Sequence, residues 1–260
     1  MKRSLRIAIP LPHSSNAGFS AKALPQYCRA LEVAGGEPVV VGFDLDNHQI
    51  ARLATTCEGV LLPGSPADIN PEKYGAALDP HTEAGDPARD NVDELLLQDA
   101  YNMHKPVLGI CFGLQSLNVW RSGTLTQHLS GAVRHSADEP EELALRHPIR
   151  LEPDSRLAAI LASAQPEKAE LIVNTSHHQA AETVGDGLRA VAWSAEDRVI
   201  EAVEGTSPEH WVIAVQWHPE RMTDDPAAAA LFRALIEAAG HRHRHPRTAA
   251  VDFESMSGWE

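Results

Sequence analysis

The segment Val107–Asn118 reads VLGICFGLQSLN, and Cys111 stands in it where a nucleophile would. An apolar run leads into the cysteine and a helical pattern leaves it, with Gly109 and Gly113 two residues to either side. This is the cysteine form of the G-x-S-x-G elbow. In that elbow a tight strand-to-helix turn holds the nucleophile in a strained backbone, and only small neighbours fit. The turn would present the sulfur at the carboxyl edge of a sheet. The start of the next helix would lend partial positive charge, which favours thiolate over thiol. The N–H of Phe112 would point to where an oxyanion forms. Cys28 and Cys57 lack such a context and read as structural.

A thiolate nucleophile needs a base, and the base needs an orienting group. The stretch WVIAVQWHPE, Trp211–Glu220, supplies both types. An apolar strand ends at His218, and Pro219 fixes the backbone before Glu220. His218 can then face the sulfur while Glu220 reaches its second ring nitrogen. A lone histidine at a strand end is usually structural. His-Pro-Glu alongside the cysteine elbow reverses that preference, because ligands gather at the carboxyl ends of strands in parallel α/β sheets.

The elements that must position these groups alternate between short apolar runs and helical segments, the signature of a parallel α/β sheet. Strands are expected at Arg6–Ile9, Pro38–Phe43, Gly59–Leu62 and Pro106–Ile110. Helices are expected at Leu24–Ala34, with Pro25 near its start, at Asn47–Ala54, from an Asp90 cap to about His104, and at Phe112–Arg121. In the third of these, Asp93 and Glu94 would lie on the first turn. The long Pro/Gly/Asp-rich stretch from Pro63 to Arg89 reads as a functional loop, and Ser130–Arg146 as a loop or insertion. The second half has closely spaced strands of antiparallel flavour at Ile149–Leu151, Leu171–Val173, Leu188–Trp193, Val199–Val203 and Trp211–Trp217. A last helix is expected over Asp224–Ala239, closed by Gly240. The expected organisation is one domain over residues 1–240 and a flexible tail over 241–260. The tail's HRHRHP could hold a metal, but it reads more simply as a solvated terminus.

Composition narrows the partners. The 260 residues carry 22 Lys plus Arg and 36 Asp plus Glu, a net charge of −14. That balance argues against nucleic acid, whose binding rests on phosphate neutralisation, and gives no attraction to an anionic membrane. Three widely spaced cysteines do not make a disulfide framework, so a reducing cytoplasm is the expected compartment. The N-terminal apolar run is broken by Pro10 and Pro12 and is too short for a signal segment.

Together GICFGLQ and VQWHPE resemble the class I glutamine amidotransferases. Within that superfamily the chain is most similar to the stand-alone γ-glutamyl hydrolases, of γ-glutamyl-γ-aminobutyrate hydrolase type. LLPGSPADINPEKYG (Leu61–Gly75), SGTLTQHL (Ser122–Leu129) and VNTSHHQA (Val173–Ala180) resemble that family's PGG-x-D-x-x-P-x-x-YG, GGTL-x-QHL and VNS-x-HHQ stretches. The likeness runs from about residue 5 to about 238. It implies an α/β, flavodoxin-like three-layer sandwich with a mostly parallel central sheet and a small antiparallel section in the second half. It implies a catalytic triad of Cys111, His218 and Glu220. It also implies oxyanion or substrate contacts at Gly64, Ser65, Phe112, Gln115, Ser176, His177 and His178, with no metal and no cofactor. For His177 and His178, simple packing of the pocket weighs equally with substrate contact.

The implied reaction is hydrolysis of the γ-glutamyl amide bond of a small γ-glutamyl-amine, such as γ-glutamyl-γ-aminobutyrate, through a Cys111 thioester, in polyamine or amino-acid degradation. The small-molecule substrate would be the main partner, with room for a homodimer. Two other readings stay open: a glutaminase subunit passing ammonia to a separate synthase, and a non-catalytic ligand-binding homologue. The chain departs from the family pattern at three places. Phe112 replaces an Arg that would suit an anionic leaving group, Ser65 replaces the second glycine of PGG, and Ser122 the first of GGTL. Ser65 would be strained if that backbone needed a positive φ.

Overall fold

The alternating runs fold, in the computed structural model, into one large sheet between two helical layers. The structure describes residues 4–131, 133–136, 145–165, 171–222 and 224–244. In chain order its elements are β1 (Leu5–Pro10), α1 (Ala17–Val33), β2 (Gly36–Val41), α2 (Asn47–Ala54), β3 (Gly59–Leu62), α3 (Pro87–Met103), β4 (Val107–Ile110), α4 (Phe112–Trp120) and β5 (Leu125–Thr126). These are followed by β6 (Arg146–Leu151), α5 (Arg156–Ala164), β7 (Leu171–Asn174), β8 (Ala180–Ala181), β9 (Leu188–Ser194), β10 (Ile200–Gly205), β11 (Val212–Val215) and α6 (Pro226–Arg244). The nine-stranded sheet has the order β2-β1-β3-β4-β11-β10-β9-β6-β7. From β2 to β11 its strands are parallel, and from β11 to β7 each pair is antiparallel. A separate two-stranded ladder joins β5 to β8. This is the expected α/β sandwich with its antiparallel section.

The central strands are apolar on both faces because both are covered. One face packs Tyr27 and Leu31 of α1, Leu157 and Leu161 of α5, and Leu231 and Leu235 of α6. The other packs Ile50 of α2, Leu96 and Leu97 of α3, and Leu114 and Leu117 of α4.

Several boundaries differ from the sequence expectation. Helix α1 begins seven residues earlier than Leu24 (24 − 17 = 7), because the Asn16 side chain caps it by accepting from Phe19 N–H. Pro25 therefore lies inside the helix, on its exposed side, where water can serve the carbonyl it leaves free. Helix α3 is capped by Asp86, not Asp90, and has Pro87 at its first position. Helix α5 was not anticipated. It is a nine-residue segment capped by Ser155 and anchored by Leu157 and Leu161, one helical turn apart. Helix α6 passes through Gly240 to Arg244, beyond the expected end of the domain at 240. Its last turn is held by Arg242 Nε donating to the Met103 carbonyl at 2.8 Å. The remainder of the expected tail, 245–260, and residues 132 and 137–144 of the expected insertion lie outside the described residues.

Candidate active site

Strands β4 and β11 are adjacent and parallel, so their carboxyl ends bring residues 111 and 216–220 together. The Cys111 N–H donates to the Val215 carbonyl at 2.8 Å, tying the two strand ends together at Cys111. Cys111 then turns the chain into α4 with φ 53° and ψ −108°, a conformation rarely adopted by a residue with a side chain. Both flanking glycines are obligatory. A Cβ on Gly109 would lie 2.8 Å from the Gly113 carbonyl oxygen, and one on Gly113 would collide with the Leu62 carbonyl. Helix α4 opens at Phe112, so that residue's N–H is among those a helix leaves without an internal acceptor.

His218 and Glu220 are both buried. The imidazole Nδ1 meets Glu220 Oε1 at 2.8 Å, which leaves Nε2 for the sulfur. Burial opposes the charge on His218, but Glu220 and Cys111 outweigh it and raise its pKa to about 9. Burial likewise works against the Glu220 carboxylate, yet the facing imidazolium holds it below the usual range. The His218 backbone is clamped at two points by Asn174. Its N–H donates to Asn174 Oδ1 and its carbonyl accepts from Asn174 Nδ2, each at 2.8 Å. Gln216 Nε2 lies 3.5 Å from Cys111 Sγ.

The β3–α3 loop forms the facing wall. A Cβ on Gly64 would sit 3.0 Å from His218 Cε1, 3.0 Å from the Tyr27 hydroxyl and 3.6 Å from Cys111 Cβ, so a side chain there would fill the space beside the sulfur. The Gly64 N–H itself donates to Tyr27 Oη at 3.0 Å, which commits it away from an oxyanion. Ser65, next along, does not have a positive φ, and its hydroxyl accepts from Ala67 N–H at 3.2 Å. The glycine replacement that does enter left-handed space is Ser122, at φ 69°. The loop is pinned along its length. Asp68 accepts from Glu83 N–H at 2.7 Å, and Gln127 Oε1 accepts from Asp79 N–H at 2.9 Å. Asp86 accepts from Ser14 N–H at 2.7 Å.

Beneath the site lies Arg89, fully buried. Its Nε donates to Asp93 at 2.7 Å, its two terminal nitrogens to the Pro12 and Pro63 carbonyls at 2.9 and 2.7 Å, and its guanidinium stacks 4.8 Å from the Phe112 ring centroid. One side chain thus ties the segment after β1, the loop before Gly64 and the residue after Cys111. Phe112 is 1% exposed and packs with Ala67, Ile69 and Leu125, so its side chain belongs to the core.

The remaining expected residues separate. Gln115 is buried, with Nε2 donating to the Gln179 carbonyl at 3.1 Å and near Gln216 Oε1 at 3.4 Å. Ser176 is partly exposed. His178 turns to the loop, where Nε2 meets Asp68 Oδ1 at 3.0 Å, a hydrogen bond that raises its pKa. His177 turns inward, its Nδ1 meeting the Gln179 carbonyl at 3.0 Å. It is buried against Glu201, beside His135 and His147, in a group whose donor atoms all lie within 4.8 Å of one another. No metal ligand was anticipated, and a cluster drawn from four separate segments leaves no spacing signal in the sequence. Tyr27, Arg89 and Asn174 were also missed. Gln216 had a signal, since alternation puts it on the same side of an extended segment as His218.

Among the described residues no helix is long and apolar enough to cross a membrane. The fold is shared with the crystal structure of a Thermoplasma acidophilum protein described as part of a GMP synthase, at a TM-score of 0.63 and 16% identity, covering 94% of this chain and 98% of that one. The γ-glutamyl-γ-aminobutyrate hydrolase PuuD of Escherichia coli K12 is 31% identical over 234 residues, 86% of this chain and 89% of the relative. A glutamine amidotransferase-like protein of Rickettsia prowazekii is 29% identical over 249 residues, 82% and 87% of the two chains. The Peptidase C26 family matches residues 9–220, and with the hydrolase relatives this establishes that the chain belongs to the Peptidase C26, glutamine amidotransferase-like family.

Proposed function

We propose that the protein hydrolyses the γ-glutamyl amide bond of a small γ-glutamyl-amine, such as γ-glutamyl-γ-aminobutyrate, to glutamate and the free amine. The observation that carries this reading is the strained Cys111 elbow beside the buried His218–Glu220 pair. The Cys111 thiolate attacks the γ-carbonyl carbon, and the carbonyl electrons move onto oxygen. That oxyanion is met by backbone N–H groups, of which Phe112 and Ser65 are assigned here because Gly64 already serves Tyr27. One such donor typically supports ~10²–10³ in rate. As the C–N bond breaks, protonated His218 gives its proton to the leaving amine. The neutral imidazole then takes a proton from water, which attacks the γ-glutamyl thioester and releases glutamate and the thiolate. Glu220 holds the tautomer and supports the imidazolium throughout. None of these steps requires a metal or cofactor.

The amine side of the pocket is assigned to the pinned 63–86 loop, with Ser176 and His178 across from it. Phe112 offers that side no cation, so an anionic amine must find its partner elsewhere on this wall. The test is glutamate release by purified protein from γ-glutamyl-γ-aminobutyrate, other γ-glutamyl amides and glutamine, with Cys111→Ala in parallel. Turnover of a γ-glutamyl amide, abolished in a folded Cys111→Ala protein, is the expected result. An active Cys111→Ala protein overturns the mechanism. Slow cleavage of glutamine alone points instead to a glutaminase subunit with a separate synthase. Ligand affinity without turnover points to a binding protein.

A further inference from the structure

We infer that His135, His147, His177 and Glu201 form a tetrahedral zinc site that braces the wall of the catalytic pocket. The four come from different parts of the chain: the segment before β6, β6 itself, the segment after β7, and β10. All are buried, and Glu201 is 0% exposed. Glu201 Oε1 lies 3.3 Å from His147 Nε2, 3.6 Å from His177 Nε2 and 3.7 Å from His135 Nδ1. Four donors at zinc distances of about 2.0–2.1 Å in a tetrahedron stand about 3.3–3.4 Å from one another. The spacings from Glu201, 3.3 to 3.7 Å, approach that value, and all four donor atoms lie within 4.8 Å of one another, close enough for a small inward movement to close them on one ion.

The inward-facing atoms find no well-aligned hydrogen bond, although Glu201 is near enough to His147 and His177 for charge pairing. His147 Nε2, His177 Nε2 and both Glu201 oxygens are buried without a hydrogen-bond partner. Such groups are costly unless something satisfies them, and buried charges are paired or bind metal. The far nitrogens explain why. His135 Nε2 meets Asp197 Oδ2 at 2.8 Å, His147 Nδ1 the Pro148 carbonyl at 3.2 Å, and His177 Nδ1 the Gln179 carbonyl at 3.0 Å. Those oxygens only accept, so each far nitrogen carries the proton and, in the neutral ring, each inward nitrogen presents a lone pair. Three ring nitrogens and a carboxylate then converge, with the Thr175 hydroxyl 3.4 Å from His135 Nδ1 while its own proton goes to the His135 carbonyl at 2.9 Å. A divalent cation resolves that arrangement. The outer carbonyls and carboxylate are the usual supports of metal-bound imidazole. Imidazole and carboxylate together suit zinc, and four protein ligands with no open position mark a structural site.

The cluster is joined to the nucleophile. The Gln179 carbonyl that receives His177 also receives Gln115 Nε2 at 3.1 Å. Gln115 meets Gln216, and Gln216 Nε2 lies 3.5 Å from the Cys111 sulfur. The Gln216 N–H also donates to the Glu201 carbonyl at 2.8 Å. Zinc would therefore lock Thr175–Gln179 and the start of β10 beside the catalytic pocket.

The test uses full-length protein without an affinity tag, dialysed against metal-free buffer and analysed for bound metals by mass spectrometry. One zinc per chain is expected, falling to background in Glu201→Gln. The paired variant His241→Asn/His243→Asn, a control for the terminal histidines, should retain it. Asp197→Asn, which removes an outer support, should weaken zinc binding ~10–100-fold. Because ligand variants can unfold, the wild type is also stripped with chelator and reloaded with Co²⁺. The visible absorption of four-coordinate cobalt and a rise in Tm on zinc addition are expected. A folded wild type that takes up neither metal, or a Glu201→Gln protein that keeps a full equivalent of zinc, overturns the inference.

Discussion

At the scale of single residues, the site depends on the charge that Glu220 places behind His218. With its pKa raised to about 9, His218 keeps its proton across neutral pH and can deliver it to the leaving amine. The alkaline limb of kcat/KM is therefore expected near pH 9, and Glu220→Gln should move it to lower pH while cutting kcat by roughly 10²–10⁴. A pH–rate profile of both proteins checks this. The same shift has a stability consequence. A folded pKa above the unfolded value of about 6.5 stabilises fully below pH 6.5, and that contribution is lost as pH rises through about 9. Denaturant midpoints of the wild type should fall over that window, and those of Glu220→Gln should fall less. Cys111, His218 and Glu220 were readable because each lies in a short motif whose local geometry is dictated by its neighbours. Asn174, Tyr27 and the Glu201 cluster were not. They act across long separations in sequence, and a hydrogen bond between residues 174 and 218 leaves no local pattern.

At the scale of elements, two positions separate strain from support. Ser122 holds φ 69° at the end of α4 without the freedom of glycine. Ser122→Gly relieves about 1–2 kcal/mol of left-handed strain against the greater flexibility of the unfolded chain. A net gain of about 0.5–1 kcal/mol in denaturant melts is expected. Arg89→Met should cost about 3–5 kcal/mol, because Asp93 is left as a buried, unpaired carboxylate. Arg89→Met/Asp93→Leu should recover much of that loss in a double-mutant cycle. The strands of the large sheet and α2 were legible from apolar runs and turn residues, whereas the two-residue strands β5 and β8 were not. Helix α5 was not, since nine residues with two buried leucines make too short a period. The start of α1 was hidden because Pro25 reads as a helix beginning, while Asn16, eight residues before Leu24 (24 − 16 = 8), is the true cap.

At the scale of the molecule, a parallel α/β sheet followed from the alternation of element types and the three-layer order from the family resemblance, but the adjacency of β11 to β4 did not. No composition or period reveals that the last strand inserts beside one from mid-chain. The net charge of −14 has its own expected effect. Self-repulsion opposes the compact state and is screened by salt, so Tm should rise between low and moderate NaCl in a thermal melt.

The insertion of β11 also bears on how the molecule is made. Cys111 emerges during synthesis 107 residues before His218 (218 − 111 = 107). At the usual pace of translation that is a delay of roughly 5–20 s. Until Val212–Val215 arrive, β4 presents an unpaired apolar edge, of the kind that invites pairing with other chains. A nascent chain paused in that interval would expose this edge without its partner strand and be prone to aggregate, so chaperone demand should peak just before Val212–Val215 emerge.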